Sequence, residues 1–401
     1  MAQVLCSDHS CQQAVLRVNA ERIANGQKPA SPDTSAYCDA RLRLPEALPH
    51  NLLCASGLNL EPSAPKEWLW KERHVKLIDG STVSMPDTPA NQAEYPQQSE
   101  QKPGLGFPVA RIVAVLSLAT GSALDLAIGP YKGKQTGEHA LLRQLLQCFS
   151  IGDVALADSY YCSYFLIATL QSMGVNFVGR LHGARDSDFR RGKHLGRGDH
   201  LVSYLRPDRP AWMDKETYAQ MPTALVVREV KVVFETPGFR TKSIVVVTTM
   251  LDPDCASVED LAELYRQRWH VELDLRSIKS VMQMDVLRCK TPEMVRKEIW
   301  VHLLAYNLIR KVMCEAAFIK KLNPRQISFK GAMQAMNSFR FVWIYNHDVV
   351  GKIIYGLMLD QISEIRVGDR PGRVEPRAIK RRPRQYDLLT VPRAVARAAL
   401  M

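Results

Sequence analysis

No run of eighteen apolar residues occurs in the 401-residue chain, so a membrane-spanning helix is not expected. The most apolar stretch, 109–119, is too short and carries Arg111 near its start. Met1-Ala2-Gln3 is not followed by a basic patch and an apolar core, the two parts of a secretory signal, so the expected location is the cytoplasm. Cys-x-x-Cys is absent, and the nine cysteines are odd in number and scattered. In a reducing compartment they read as buried or idle thiols, not disulfides. Cys6, His9 and Cys11 lie close enough in sequence to suggest zinc, but no second ligand pair with finger-like spacing follows. Gly-x-Ser-x-Gly is missing and no Cys-His pair is recognisable, which leaves a metal-free hydrolase poorly supported. Acidic residues are comparatively few, 41 against 53 basic ones, a net charge of +12. That surplus suits a polyanion better than an acidic small molecule. The rest is ordinary globular composition, 46% hydrophobic and 23% charged, which excludes wholesale disorder. The length is too great for one compact domain and short for more than three.

The chain divides by pattern. A helix is predicted over 11–24, broken by Asn25-Gly26 and Lys28-Pro29, and a second over 41–53; together they outline a helical N-terminal module, residues 1–70. Strands are predicted over 74–83, 109–118, 123–130, 153–157 and 176–181, with helices over 136–149 and 164–173. Thr120-Gly121 marks a hairpin, and 87–102 reads as a loop. The order predicts an α/β fold with a mixed sheet, of which 71–182 is the first part. Residues 183–252 read as a β-rich insertion of their own, with β-branched runs around Pro237-Gly238. A helix over 258–282, opened by the capping box Ser257-x-x-Asp260, and another over 298–317 complete the main domain, 253–320. Residues 321–401 form a C-terminal region ending in a basic, Pro-rich tail.

The 258–282 helix carries unusual chemistry. At about 100° per residue, Tyr265, Arg268, Glu272 and Lys279 fall within an arc of roughly 60°. They lie directly beside the apolar stripe of Leu264, Val271, Leu275, Ile278 and Met282. A surface helix normally puts its charges opposite the core. These residues at the core's edge suggest a carboxylate held for a metal and cations held for phosphate. The competing reading is a salt-bridged amphipathic helix, with Glu272 paired to Arg276 one turn on. Asp79 and Asp158 each end an apolar strand pattern and precede small hydroxyl residues, Gly80-Ser81-Thr82 and Ser159. Carboxylates at strand ends stand where ligands gather in α/β sheets, although Asp also caps turns there. Asp87 competes with Asp79 but sits in a Pro-flanked loop, a less rigid platform.

Together these residues resemble a known family. Tyr265-x-x-Arg268-x-x-x-Glu272-x-x-x-x-x-x-Lys279 matches the Tyr-Arg-Glu-Lys signature of bacterial DDE transposases of insertion-sequence family four. Ile78-Asp79-Gly80-Ser81-Thr82 with Pro86-Asp87-Thr88-Pro89-Ala90-Asn91 is similar to that family's first-Asp block, and Ala155-Leu156-Ala157-Asp158-Ser159-Tyr160-Tyr161 to its second. Pro371-Gly372-Arg373-Val374-Glu375-Pro376-Arg377 and Lys380-Arg381-Arg382-Pro383 resemble its C-terminal block. The resemblance spans about residues 10–390. It implies a ribonuclease-H-like fold with a β-rich insertion in the 114-residue gap between Asp158 and Glu272. It implies Asp79, Asp158 and Glu272 as catalytic ligands of two Mg²⁺ ions, with Mn²⁺ able to substitute. It further implies DNA strand cleavage and strand transfer on double-stranded DNA, a dimer in the DNA complex and nucleoid association. An N-terminal DNA-binding portion would be short or missing.

Two Mg²⁺ ions roughly 3.5–4 Å apart can activate water and stabilise a departing 3′ oxygen. Arg268 and Lys279, with Arg276 beside them, would hold phosphates, and Tyr265 would contact the backbone near the cut. Trp212 is a candidate for stacking on a flipped base, against the ordinary reading of a core tryptophan. The tail adds ten basic residues to three acidic ones over 366–397, Lys380, Arg381 and Arg382 among them, a net +7 of the chain's +12. Such a tail is either a DNA clamp or solvated surface. The rival functions are a ribonuclease-H-like nuclease without strand transfer and a non-catalytic DNA-binding protein derived from a transposase. The first has no need of the insertion, and the second predicts loss of a carboxylate.

Overall fold

The computed structural model describes residues 3–6, 8–233, 243–344, 346, 349–368 and 389–400. The N-terminal part holds α1 (Cys11–Ala24), α2 (Ser35–Arg43) and α3 (Ala47–Leu60). Ser10 caps α1 by accepting from the Gln13 amide at 3.0 Å. The single helix expected over 41–53 is two helices, because Pro45 cannot continue α2. Next come β1 (Val75–Ser84), α4 (Pro89–Glu94), β2 (Val109–Ser117), β3 (Ala123–Pro130), α5 (Glu138–Leu142), β4 (Val154–Ala157), α6 (Tyr164–Ser172) and β5 (Asn176–Arg180). α4 lies inside the expected loop and is fixed by the Thr88 cap and Pro89 in its first turn. α5 is short and tightens into a 3₁₀ turn over 143–148.

The insertion contributes β6 (Lys193–Gly196), β7 (Asp199–Leu205), α7 (Lys215–Gln220), β8 (Ala224–Val233) and β9 (Ser243–Thr248). The chain then runs through α8 (Val258–Gln267), α9 (Trp269–Arg276), α10 (Pro292–Ile319), α11 (Phe329–Ile344), α12 (Val349–Glu364) and α13 (Arg393–Ala398). Among the described residues, no helix is long and apolar enough to cross a membrane.

One nine-stranded sheet organises the chain, in the order β3-β2-β1-β4-β5-β9-β8-β7-β6. β2 is antiparallel to both β1 and β3, while β1, β4 and β5 run parallel. That five-stranded part has the ribonuclease-H-like order. The insertion does not fold away as a module of its own. β9 pairs antiparallel with β5, setting Val178 opposite Thr248, and β8, β7 and β6 extend the same sheet. Alternation along β1 splits the interior into two layers. Val75 and Leu77 pack with α3, α8, α9, α10 and α12, while Ile78 packs with α5 and α6 on the other face.

A buried carboxylate joins the first layer to the sheet. Asp274 of α9 is wholly buried, and the Arg310 guanidinium of α10 donates to it. Arg325 donates to both Asp274 oxygens at 2.7 Å, and to the Ser117 and Leu118 carbonyls at 2.7 and 2.8 Å. Arg310 also donates to the Tyr306 hydroxyl at 2.8 Å, which donates to the Gly121 carbonyl at 2.7 Å. α9, α10 and the β2–β3 turn thus share one polar network. Removing one partner of a buried ion pair strands the other charge, at a cost of about 3–5 kcal/mol. Asp274→Ala is therefore expected to lower unfolding stability by about that amount in urea titration. Asp274→Asn, which keeps the hydrogen-bond acceptor, should lose less.

Candidate active site

Asp79 lies midway along β1 and not at its end. The apolar pattern stops there because the strand passes from full to partial burial at this residue and runs on to Ser84. Val75 stands opposite Val154 and Leu77 opposite Leu156 across the parallel β1–β4 pair. Carried two residues further, the register sets Asp79 beside Asp158, the residue just after β4. Both then share the face on which α8 and α9 pack. Backbone amides orient each carboxylate: Gly80 donates to Asp79 at 2.8 Å, and Tyr160 donates to Asp158 at 2.9 Å.

Glu272 reaches the same face from α9, whose Val271 and Leu275 are buried in the core that holds Leu77. Its ionic partner is Arg268, one turn before it, at 2.7 Å. Arg276, the partner in the competing reading of a salt-bridged helix, is exposed. The long helix expected over 258–282 is interrupted twice. At Arg268 the backbone stays helical but bonds tighten to a three-residue spacing, and over Ser277–Val281 they loosen into a π turn. The 3.6-residue pattern cannot show either change, because both leave the apolar stripe on the same side. π turns recur at functional sites. Here the turn carries Lys279, whose Nζ donates to the Ser81 hydroxyl at 2.8 Å, on the Asp79 face of β1.

Electrostatics link these groups. Burial pushes Asp79 up to about 6, and the charges of Asp158 and Glu272 add to the rise, while the Gly80 amide and Arg268 pull against it. Burial raises the Tyr265 phenol, with Arg268 and Arg180 opposing and Asp158 adding to the rise. Burial lowers the Lys279 ammonium, against the pull of Asp285. Tyr265, Arg268 and Glu272 therefore converge on Asp79 and Asp158. Arg268 engages one Glu272 oxygen, and the three carboxylates are not a set whose ligand atoms all lie within 4.8 Å of one another. The donors are all carboxylate oxygens, a set that fits a hard divalent cation such as Mg²⁺ better than Zn²⁺.

Sequence reasoning missed the layer beneath. Glu138, which opens α5, lies against β1 where it passes Asp79. A Cβ on Gly80 would come within 2.3 Å of its carboxylate carbon, so a larger residue there would have to push the Glu138 carboxylate aside. Tyr161 donates to Glu138 at 3.0 Å. Gly80 was legible, but nothing local in Thr136-Gly137-Glu138 pairs it with Glu138.

The remaining candidates fall elsewhere. Asp87 is exposed and held by Gln92 at 2.8 Å. It lies beyond the end of β1, and the five residue steps from Asp79 to Ser84 already span about 17 Å. Trp212 is no core tryptophan: it is 38% exposed, lies edge-on to Phe165 and is covered by the Arg143 guanidinium 3.9 Å above its ring. Lys380, Arg381 and Arg382 lie outside the described residues. Cys6, His9 and Cys11 do not assemble as a ligand set among the described residues.

Residues 70–308 match a protein-family model described as a transposase DDE domain. Over 327 residues the chain is 30% identical to the transposase InsG for insertion sequence element IS4 of Escherichia coli K12, covering 79% of this chain and 70% of that protein. A 69-residue segment is 39% identical to the transposase for insertion sequence element IS421 of Escherichia coli, covering 17% of this chain and 19% of that one. Among solved structures, a cryo-EM structure of the piggyBac transposase synaptic complex with hairpin DNA is similar with a TM-score of 0.39 and 14% identity, over 74% of this chain and 58% of that one.

The raised Asp79 makes a prediction about stability. Its folded value, about 6, lies above its ordinary value of 3.8. The unfolded chain then releases its proton first, and the native state loses stability as pH climbs through that window. Asp79→Asn removes the cost. In chelator and without added metal, the variant is expected to melt higher than the wild type at pH 8, with the gap closing towards pH 4. A variant that melts lower at pH 8 would contradict the burial of an ionised carboxylate at this position.

Proposed function

The chain belongs to the transposase DDE-domain family, and from that premise we propose that Asp79, Asp158 and Glu272 hold a pair of Mg²⁺ ions for cleavage and joining of insertion-sequence DNA ends. The observation that supports the reading is the placement of these three carboxylates on one face of the sheet, where burial raises Asp79 and the charges of Asp158 and Glu272 add to the rise. An ion bound there would supply an activated water at neutral pH and stabilise the departing 3′ oxygen.

The residues of the chain then divide the remaining work. Asp79 projects from β1 and Asp158 from the residue that follows the adjacent β4, each orientated by a backbone amide, so the sheet sets their spacing. Arg268 is the counter-ion of Glu272 and, half-sheltered beside Tyr265, is the cation placed to take a strand phosphate. Lys279 is anchored on Ser81 and carries the wrong charge to be a ligand, so its part is to hold the DNA backbone on the Asp79 side. Tyr265 supplies a half-buried phenol near Asp158 for contact near the cut. After hydrolysis the freed 3′-OH would take the place of the attacking water and attack a target phosphodiester, whose own 3′ oxygen leaves as the new bond forms. The strands of the insertion widen the sheet next to Asp158, and the basic tail adds phosphate contacts. Arg276 is placed on the exposed side of α9, and a dimer on DNA completes the proposed assembly.

The test is Asp158→Asn. The change removes one ligand charge and leaves an acceptor for the Tyr160 amide. Folding and binding of an element-end duplex should persist, while strand cleavage in Mg²⁺ should fall at least a hundredfold, on the order of what one preorganised charge contributes. Near wild-type cleavage by the variant would remove Asp158 from the chemistry. Cleavage without joining of the 3′ end by the wild type would favour a nuclease without strand transfer.

A further inference from the structure

A second set of ligating side chains gathers away from the three carboxylates. His50 and Cys54 of α3 and Asp125 of β3 are the only group of three or more His, Cys, Asp or Glu among the described residues whose ligand atoms all lie within 4.8 Å of one another. His50 and Cys54 are four residues apart on one helix, so they share a face one above the other. Asp125 is nearly buried, and its carboxylate is held from three sides. The Leu126 amide donates at 2.7 Å, Gln147 donates at 3.2 Å, and His50 Nε2 lies 2.8 Å away.

Charge is the unresolved quantity here. Among the described residues the ionic partner of Asp125 is His50, which carries charge only when protonated. Burial, and then Asp125 itself, push the Cys54 thiol up to about 12. A buried carboxylate, a thiol and an imidazole thus stand together without a permanent cation. We infer that His50 Nε2, Cys54 Sγ and an Asp125 oxygen bind a zinc ion, with the fourth position open to solvent.

The chemistry and the placement agree. Nitrogen, sulfur and oxygen donors suit Zn²⁺, whereas Mg²⁺ takes oxygen alone, so this set and the three carboxylates select different metals. Zn²⁺ with one thiolate, one carboxylate and a neutral imidazole is electrically neutral. The thiol proton, and any proton shared between His50 and Asp125, leave to solvent on binding. Gln147 fixes the carboxylate from behind, as outer groups do at metal sites. The His50 side chain is 35% exposed, which gives an entry path, and its ring lies on Trp300 of α10 at 4.3 Å. α3 lies so close to β3 that a Cβ on Gly57 would come within 2.6 Å of the Ala123 carbonyl. Zinc at this point ties the N-terminal helices to the edge strand of the catalytic sheet.

The test uses the full chain, stripped with chelator and titrated with Co²⁺ and then Zn²⁺. A thiolate-to-cobalt charge-transfer band saturating at about one equivalent, and displaced by Zn²⁺, is expected. The near-isosteric Cys54→Ser should abolish the band, and zinc should raise the melting temperature of the wild type but not of that variant. The band reads sulfur ligation, so metal held by the three carboxylates does not contribute to it. No band would overturn the inference, leaving a hydrogen-bonded His50–Asp125 pair. A band of equal strength in Cys54→Ser would also overturn it, by assigning the thiolate to another cysteine. Cys148, buried and close enough to feel the charges of Asp125 and Cys54, is one such source.

Discussion

A buried aspartate with two arginines sets the position of α9, the helix that carries Glu272. Asp274 and Glu272 are two residues apart on α9, so their side chains leave the helix about 200° apart. One side is gripped by Arg310 and Arg325, and through them by the β2–β3 turn. The other side presents Glu272 to Asp79 and Asp158. Buried ion pairs are weak evidence for stability when compared with apolar packing, but breaking one is expensive. The network is therefore best understood as fixing the register of α9 against the sheet. A third carboxylate that comes from a separate helix needs such a constraint, because neither β1 nor β4 touches it through a backbone ladder.

The sheet explains how a long insertion can separate two residues of one site. The chain leaves β5 beside Asp158, builds β6 to β9 as a continuation of the same sheet, and returns along β9 next to β5. α8 then crosses back over the face it left. The insertion costs the site no geometry, since its entry and exit are adjacent strands. It also puts Arg180, the last residue of β5, near Tyr265.

Much of this architecture is legible in the sequence. Short strand-like and apolar runs marked β1 to β5, and a helical stripe of Tyr265, Arg268, Glu272 and Lys279 beside apolar residues marked the face that meets Asp79. What escaped depends on tertiary partners. Asp274 reads locally as one more surface charge, and only Arg310 and Arg325, 36 and 51 residues away, make it a core residue. The apolar pattern of β1 stops at Asp79 because burial falls there, while the backbone ladder to β2 continues past it. Glu138 is invisible because its contact is with the bare backbone of Gly80, and the edge strand β6 because its side chains are mostly exposed and carry little alternation.

The central claim is that Asp79, Asp158 and Glu272 act as one metal site whose third ligand is positioned by α9. Mn²⁺ binding followed by electron paramagnetic resonance tests it most directly, on the full chain and on Asp79→Asn, Asp158→Asn and Glu272→Gln. Each single change should weaken the same population of bound Mn²⁺, and the double changes should lose less than the sum of the single losses, as coupled ligands do. Unaltered Mn²⁺ binding in all three variants, or losses that simply add, would contradict a shared site.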